Sequence, residues 1–283
     1  MMSKISAVWW AVAAIWFGAA APAAAETVTE RFSAYNAGAP TQVDHAAWTR
    51  LLGAYVKPDA SGLNRVDYAA FKAKSHDALK AYVAALEAVD VKGLDRREQF
   101  AFWVNLYNAK TIDVVLAHYP VGSIREISIG EGLVGFFKKS VGFGGPWKAK
   151  IVNVDGVDLS LDDIEHAILR PVFKDPRVHY AVNCASVGCP NLQSAAFTRD
   201  NLEALLESGA RSYVNSPRGV RIDEGKVTAS SIYNWFQVDF GGSEAGVLEH
   251  LRKYADAELT EKLAGVARID GYAYDWSLND VKK

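Results

Sequence analysis

The stretch from Asp95 to Pro120 constrains the fold more than any other part of the chain. Asp95 and Glu98 form a capping-box-like pair at the start of a helix. Phe100, Trp103, Leu106, Tyr107 and Val114 carry that helix to about His118, and Pro120 ends it. The helix is apolar on most faces, yet it holds Asn105 and Asn108, three apart on one side. Partly buried amides must find hydrogen-bond partners. The ordinary partner is structural backbone; the alternative is that the pair holds a functional loop or orients a histidine.

The elements around this helix set the fold class. Asp44 is placed to cap a helix through Trp48, Leu51, Leu52 and Tyr55, and Arg65–Tyr68 looks like a short strand entry. Ser75 is placed to start a second helix burying Leu79, Tyr82, Val83 and Leu86. Residues 121–150 are rich in glycine and read as a long structured loop without a phosphate-binding fingerprint. Residues 148–161 form a hairpin around Asp155-Gly156, and Ser160 with Asp163 caps a helix that stops at Pro171. Arg177–Asn183 alternates like a strand, with His179 opposite Val178 and Tyr180. Thr198 or Asp200 starts a helix to about Tyr213, and a second hairpin pairs 220–222 with 227–229. Helical pieces at 231–237, 244–254 and 257–264 precede a terminal strand near Tyr272. Helices and hairpins without regular βαβ alternation predict an α+β class: a helix-rich single domain with short antiparallel hairpins.

The first 25 residues read as a secretory signal peptide. Lys4 supplies the positive start, an apolar run follows to Ala21, and Ala23-Ala24-Ala25 supplies the small-residue exit. The expectation is an exported protein, periplasmic or secreted, whose residues 26–283 form one domain with no membrane span. Net charge is −2, and losing Lys4 takes it to −3. No long basic run is present, which argues against nucleic acid and anionic membrane as partners. A small-molecule or peptide ligand is the remaining expectation.

The chemistry concentrates between Val178 and Leu192, a segment holding both cysteines, Cys184 and Cys189, with His179 before them and Ser186 between them. Four readings stand. A Cys184–Cys189 disulfide suits an oxidising compartment, and Gly188 lets the intervening residues turn tightly. A cysteine nucleophile, activated by His179 or His166, would make this a hydrolase or transferase. A redox-active dithiol lacks the usual two-residue spacing. A zinc site from His166, His179, Cys184 and Cys189 would have unusual spacing. Pro190 removes a backbone donor beside Cys189, which weakens an oxyanion-hole role there. His179 also has a bland alternative, a core histidine bonded to backbone. Glu165 is adjacent to His166 and diverges from it by about 100° on a helix, so it is poorly placed to orient that ring. Arg170, near the helix end, more commonly caps carbonyls.

Several segments together resemble the family catalogued as domain of unknown function 547. They are Phe102–Ala109, Ile164-Glu165-His166 with Leu169-Arg170, His179–Leu192, Ser231–Phe236 with Asp239-Phe240, and Tyr274–Asn279, within about residues 65–280. The resemblance implies both exported bacterial members and intracellular plant members. It also implies a cysteine pair specific to the exported ones, which moves shared chemistry towards His179, Ser186 or Asn105. It carries no established catalytic residue and implies no cofactor or metal.

The sequence therefore points to a site gathering the His179–Pro190 loop, the Asn105/Asn108 helix face and His166, with Trp235, Asp239, Tyr274 and Trp276 as further lining. In the enzymatic expectation His179 is the base and Cys189, Cys184 or Ser186 the nucleophile. The alternative is a non-catalytic binding or scaffold module stapled by a Cys184–Cys189 disulfide, with the aromatics and the 130–145 loop as its recognition surface.

Overall fold

The computed structural model describes residues 26–130 and 145–281. The proposed signal peptide and most of the glycine-rich 130–145 loop lie outside the described residues. The helix Arg96–His118 runs through the middle of the larger core, and Phe102, Trp103, Val104, Leu106 and Ala109 are fully enclosed. A helix this apolar has no face to give to water, so other elements must surround it. Tyr68–Glu87 and the helix Asp163–Phe173 pack on it directly, and Ala46–Tyr55 packs on Tyr68–Glu87. Asp95 caps the central helix through the Arg97 amide. Glu98 does not close the expected capping box; its Oε1 accepts from the Val43 amide and ties down the incoming chain.

The structure is helix-rich α+β with short strand pairs. Val56–Pro58 pairs with Asn64–Val66, and Val152–Val154 with Val157–Leu159, both antiparallel. The second turn holds Asp155 and Gly156 at positive φ, as a two-residue hairpin of this twist requires. Lys226–Ser230 pairs antiparallel with Val220–Asp223 and parallel with Gly271–Ala273. A second core packs behind this sheet around Tyr213, Tyr233, Leu251 and Tyr254.

Four local expectations are corrected. The helix expected from Ser75 begins at Tyr68, capped by Asp67, because Tyr68 and Phe71 extend its buried stripe by nearly two turns. The first long helix takes His45 as its N-cap residue; Asp44 bonds the Ala46 amide from one position earlier. Pro171 does not stop its helix. Asp163–Phe173 winds as a π-helix through Pro171, and the Thr29 hydroxyl donates to the Ala167 carbonyl at 2.6 Å. Finally, Val178–Ala181 is one helical turn, not a strand. All four of its residues are buried, so an alternating pattern never had an exposed face to mark. Among the described residues no helix is long and apolar enough to cross a membrane.

Candidate functional site

The 181–190 segment is fixed from both sides. Asn108 donates to the Ala181 carbonyl at 2.9 Å and accepts from the Asn183 amide at 2.8 Å. Asn183 donates to the Pro190 carbonyl and accepts from the Ala185 amide, closing the loop on itself. This holds Ala185 at φ +61°, a left-handed conformation that costs a non-glycine residue about 1–2 kcal/mol. The C-terminal segment completes the clamp: the Val187 and Gly188 amides bond the Ser277 and Asp275 carbonyls, each at 2.8 Å. A side chain at Gly188 would lie 2.7 Å from the Asp275 amide nitrogen, so the close approach requires glycine.

This clamp places Cys184 beside three groups that can donate to it. Its Sγ lies 3.0 Å from Cys189 Sγ, 3.0 Å from the Tyr274 hydroxyl and 3.2 Å from Ser186 Oγ. The Cys184 amide in turn donates to Cys189 Sγ at 3.0 Å. The hydrogen bond from Cys189 lowers the Cys184 thiol; burial opposes this, and Ser186 and Tyr274 add to the lowering. Burial pushes Cys189 well up, and the bond with Cys184 adds to the rise. Burial likewise raises Tyr274. Cys184 is therefore the first of the cluster to lose its proton, with the other three left as donors. Both cysteines are free thiols in this structure.

His179 sits on the same cavity, which has a volume of about 440 Å³ and is lined by His166, Glu165, Cys184, Cys189 and several aromatic rings. Its Nε2 lies 2.7 Å from Asp239 Oδ2, and Arg170 Nε bonds the same oxygen. Burial pushes Asp239 up, but hydrogen bonds from His179 and Arg170 outweigh it and hold the carboxyl at about 2. An ionised Asp239 accepts only, which assigns the proton to Nε2 and turns the lone pair of Nδ1 away from Asp239. Nδ1 lies 3.8 Å from Glu165 Oε1. Phe236 stacks on the imidazole at 4.4 Å, and the Arg170 guanidinium lies over the Phe236 ring, 4.8 Å from its centroid.

The remaining candidates take different places. His166 lines the cavity; Arg170 donates to its Nδ1 at 3.2 Å, and its Nε2 is 3.7 Å from Asp162. Ser186 is fully buried and bonds Tyr274 at 2.9 Å, so it serves Cys184 as a donor more readily than it meets a substrate. Asn105 stands away from the cavity lining, donating to the Phe197 carbonyl and accepting from the Phe197 amide. Trp235, Tyr274 and Trp276 line the cavity; Asp239 lies behind His179. Among the described residues no group of three or more His, Cys, Asp or Glu is gathered to hold a metal, and the four-ligand set of His166, His179, Cys184 and Cys189 does not form.

Sequence reasoning set Glu165 aside as poorly placed to orient His166. Although adjacent to His166, it reaches within 4.0 Å of that ring, and it approaches His179 as well. The signal was a carboxyl inside the apolar stripe Ile164, Ile168 and Leu169, all of which are buried. The wider π winding changes the angle between neighbours from that of an α-helix.

Residues 91–214 match the family model described as "Protein of unknown function, DUF547". The chain resembles the DUF547 family. The matched segment runs from the central helix through the cysteine loop to the end of the helix Leu202–Val214, and so contains Glu165, His166, His179, Cys184 and Cys189. Asp239, Tyr274 and Trp276, which complete the site, lie beyond the DUF547 match. No curated protein and no solved structure matches the chain.

Proposed function

We propose that the chain is an exported thiol enzyme of the acyl-transfer class, hydrolase or acyltransferase, with Cys184 as nucleophile and His179 as base. The supporting observation is the lowered Cys184 thiol, ringed by Cys189, Ser186 and Tyr274, on one cavity with an Asp239-oriented imidazole. In this reaction the Cys184 proton passes to His179 Nδ1 through a water in the cavity that both line, and Sγ adds to the substrate carbonyl carbon. The bond from that carbon to the leaving group breaks, and His179 returns the proton to the leaving group. Water or another acceptor then attacks the thioester and releases Cys184. Export rests on the pattern of residues 1–25.

The test is acylation of the reduced protein by p-nitrophenyl acetate, followed by peptide mapping. The proposal expects one acetyl group, on Cys184, lost in Cys184→Ser and slowed in His179→Gln. Acetylation elsewhere, or none, contradicts it.

A second reading has a specific observation behind it. The two sulfurs lie 3.0 Å apart, about 1 Å from bonding distance. In an oxidising compartment they would join, and the chain would be a binding module with Cys184–Cys189 as its staple. Counting free thiols in protein purified from its exported location, with and without reductant, separates the two.

A further inference from the structure

The cavity that holds Cys184 has a chemical preference of its own. Glu165 is 9% exposed and its carboxyl forms part of the cavity wall. The Tyr107 hydroxyl lies beside it, and the His179 and His166 Nδ1 atoms stand at 3.8 and 4.0 Å, beyond hydrogen-bond reach. A carboxylate offers about four acceptor sites, more than the Tyr107 hydroxyl alone can fill. A buried carboxylate is costly unless a cation or several donors meet it. Asp162 adds a second carboxyl at the half-exposed rim, whereas Lys148, the one lysine of the lining among the described residues, is exposed and can turn to water.

The cavity lining also carries a group of aromatic rings. Trp235 and Trp276 stack at 5.7 Å, and Tyr274 lies 4.7 Å from Trp276. One of these rings already holds a cation: the Arg125 guanidinium sits 5.1 Å from the Trp276 centroid. Trp235 is 46% exposed, large apolar surface left uncovered at the mouth of a cavity.

We infer that the cavity binds a ligand carrying a primary ammonium group, with its charge at Glu165 and Asp162 and its aliphatic stem along Trp235, Tyr274 and Trp276. Resting on the acyl-transfer proposal, this makes the acceptor an amine. One proton passes from the ammonium to Glu165, the nitrogen attacks the thioester carbon and the C–S bond breaks. Cys184 leaves as thiolate, and the second amine proton goes to His179 Nδ1. The product is an amide.

The experiment is calorimetric titration of reduced Cys184→Ser protein, in which the proposed nucleophile is absent, with Nα-acetyl-lysine methylamide and with its neutral Nε-acetylated form. The cationic form is expected to bind at least about tenfold more tightly. Glu165→Gln and the rim variant Asp162→Asn should each erode that difference, with unchanged circular dichroism. Equal or tighter binding of the neutral form, no binding of the cation, or an undiminished preference in both folded variants overturns the inference. Amine binding without any acetylation of wild-type Cys184 would leave the ligand class standing and remove the enzyme.

Discussion

The Nε2 atom of His179 meets Oδ2 of Asp239 at 2.7 Å across 60 residues of sequence. This contact decides which imidazole nitrogen is free. It ties the helical turn at Val178–Ala181 to the short 3₁₀ turn Gln237–Phe240, and the Arg170 bond to the same carboxyl brings in the π-helix.

Asp239→Asn is expected to leave the fold intact and to slow Cys184 acetylation on the order of 10²-fold, because an amide can pair with His179 in the wrong tautomer. Stopped-flow release of p-nitrophenolate measures this. An unchanged rate would remove His179 as the base.

The same carboxyl gives a pH dependence to stability. Asp239 titrates at about 2 in the folded chain against an ordinary 3.8. A depressed folded value means the unfolded chain binds the proton first, so the stabilisation is full above about pH 4 and is lost as pH falls towards about 2. Urea midpoints for wild type and Asp239→Asn should therefore converge through that window. Parallel curves would show that the His179 and Arg170 bonds do not stabilise the folded state.

Asn108 should be a stability residue. Asn108→Ala strands the Ala181 carbonyl and the Asn183 amide in the core, at a cost of about 3 kcal/mol, readable by urea denaturation. Asn105→Ala should cost a similar amount through Phe197 yet leave acetylation of the remaining folded protein near wild-type rate. A selective loss of rate in folded Asn105→Ala would return that residue to the site.

Oxidation should silence the site. Treating the protein with diamide joins Cys184 to Cys189, the two thiols giving up two protons and two electrons to the reagent, and acetylation should stop until a reductant is added. Cys189→Ser should resist diamide. Cys189→Ala should also raise the Cys184 thiol, since the hydrogen bond from Cys189 that lowers it is removed. Acetylation that survives diamide in wild type would place the nucleophile elsewhere.

What the sequence disclosed follows the kind of signal each element carries. The long helices, both hairpins and the terminal strand were legible because periodicity and turn pairs are local. The cysteine loop was legible because its residue types are rare in this chain, which has two cysteines in all. The turn at Val178–Ala181 was misjudged because every side chain there is buried, which removes the alternation that separates helix from strand. The Asp239–His179 bond, the donors around Cys184 and the approach of Glu165 depend on segments far apart in sequence. Tyr274, for example, meets Cys184 across 90 residues. No spacing rule encodes such a contact. The Asn105/Asn108 pair divides between its two expectations: Asn105 bonds structural backbone at Phe197, whereas Asn108 holds the entry to the cysteine loop through Ala181 and Asn183.

The central claim is that Cys184 is the reactive thiol, and its alkylation tests this most directly. The reduced, folded protein would be treated with iodoacetamide across a pH series and each cysteine followed by peptide mass spectrometry. The account predicts that Cys184 reacts with a midpoint below the ordinary 9.0 while Cys189 stays unmodified until the chain unfolds. A Cys184 midpoint at or above 9.0, or Cys189 reacting first, would contradict it.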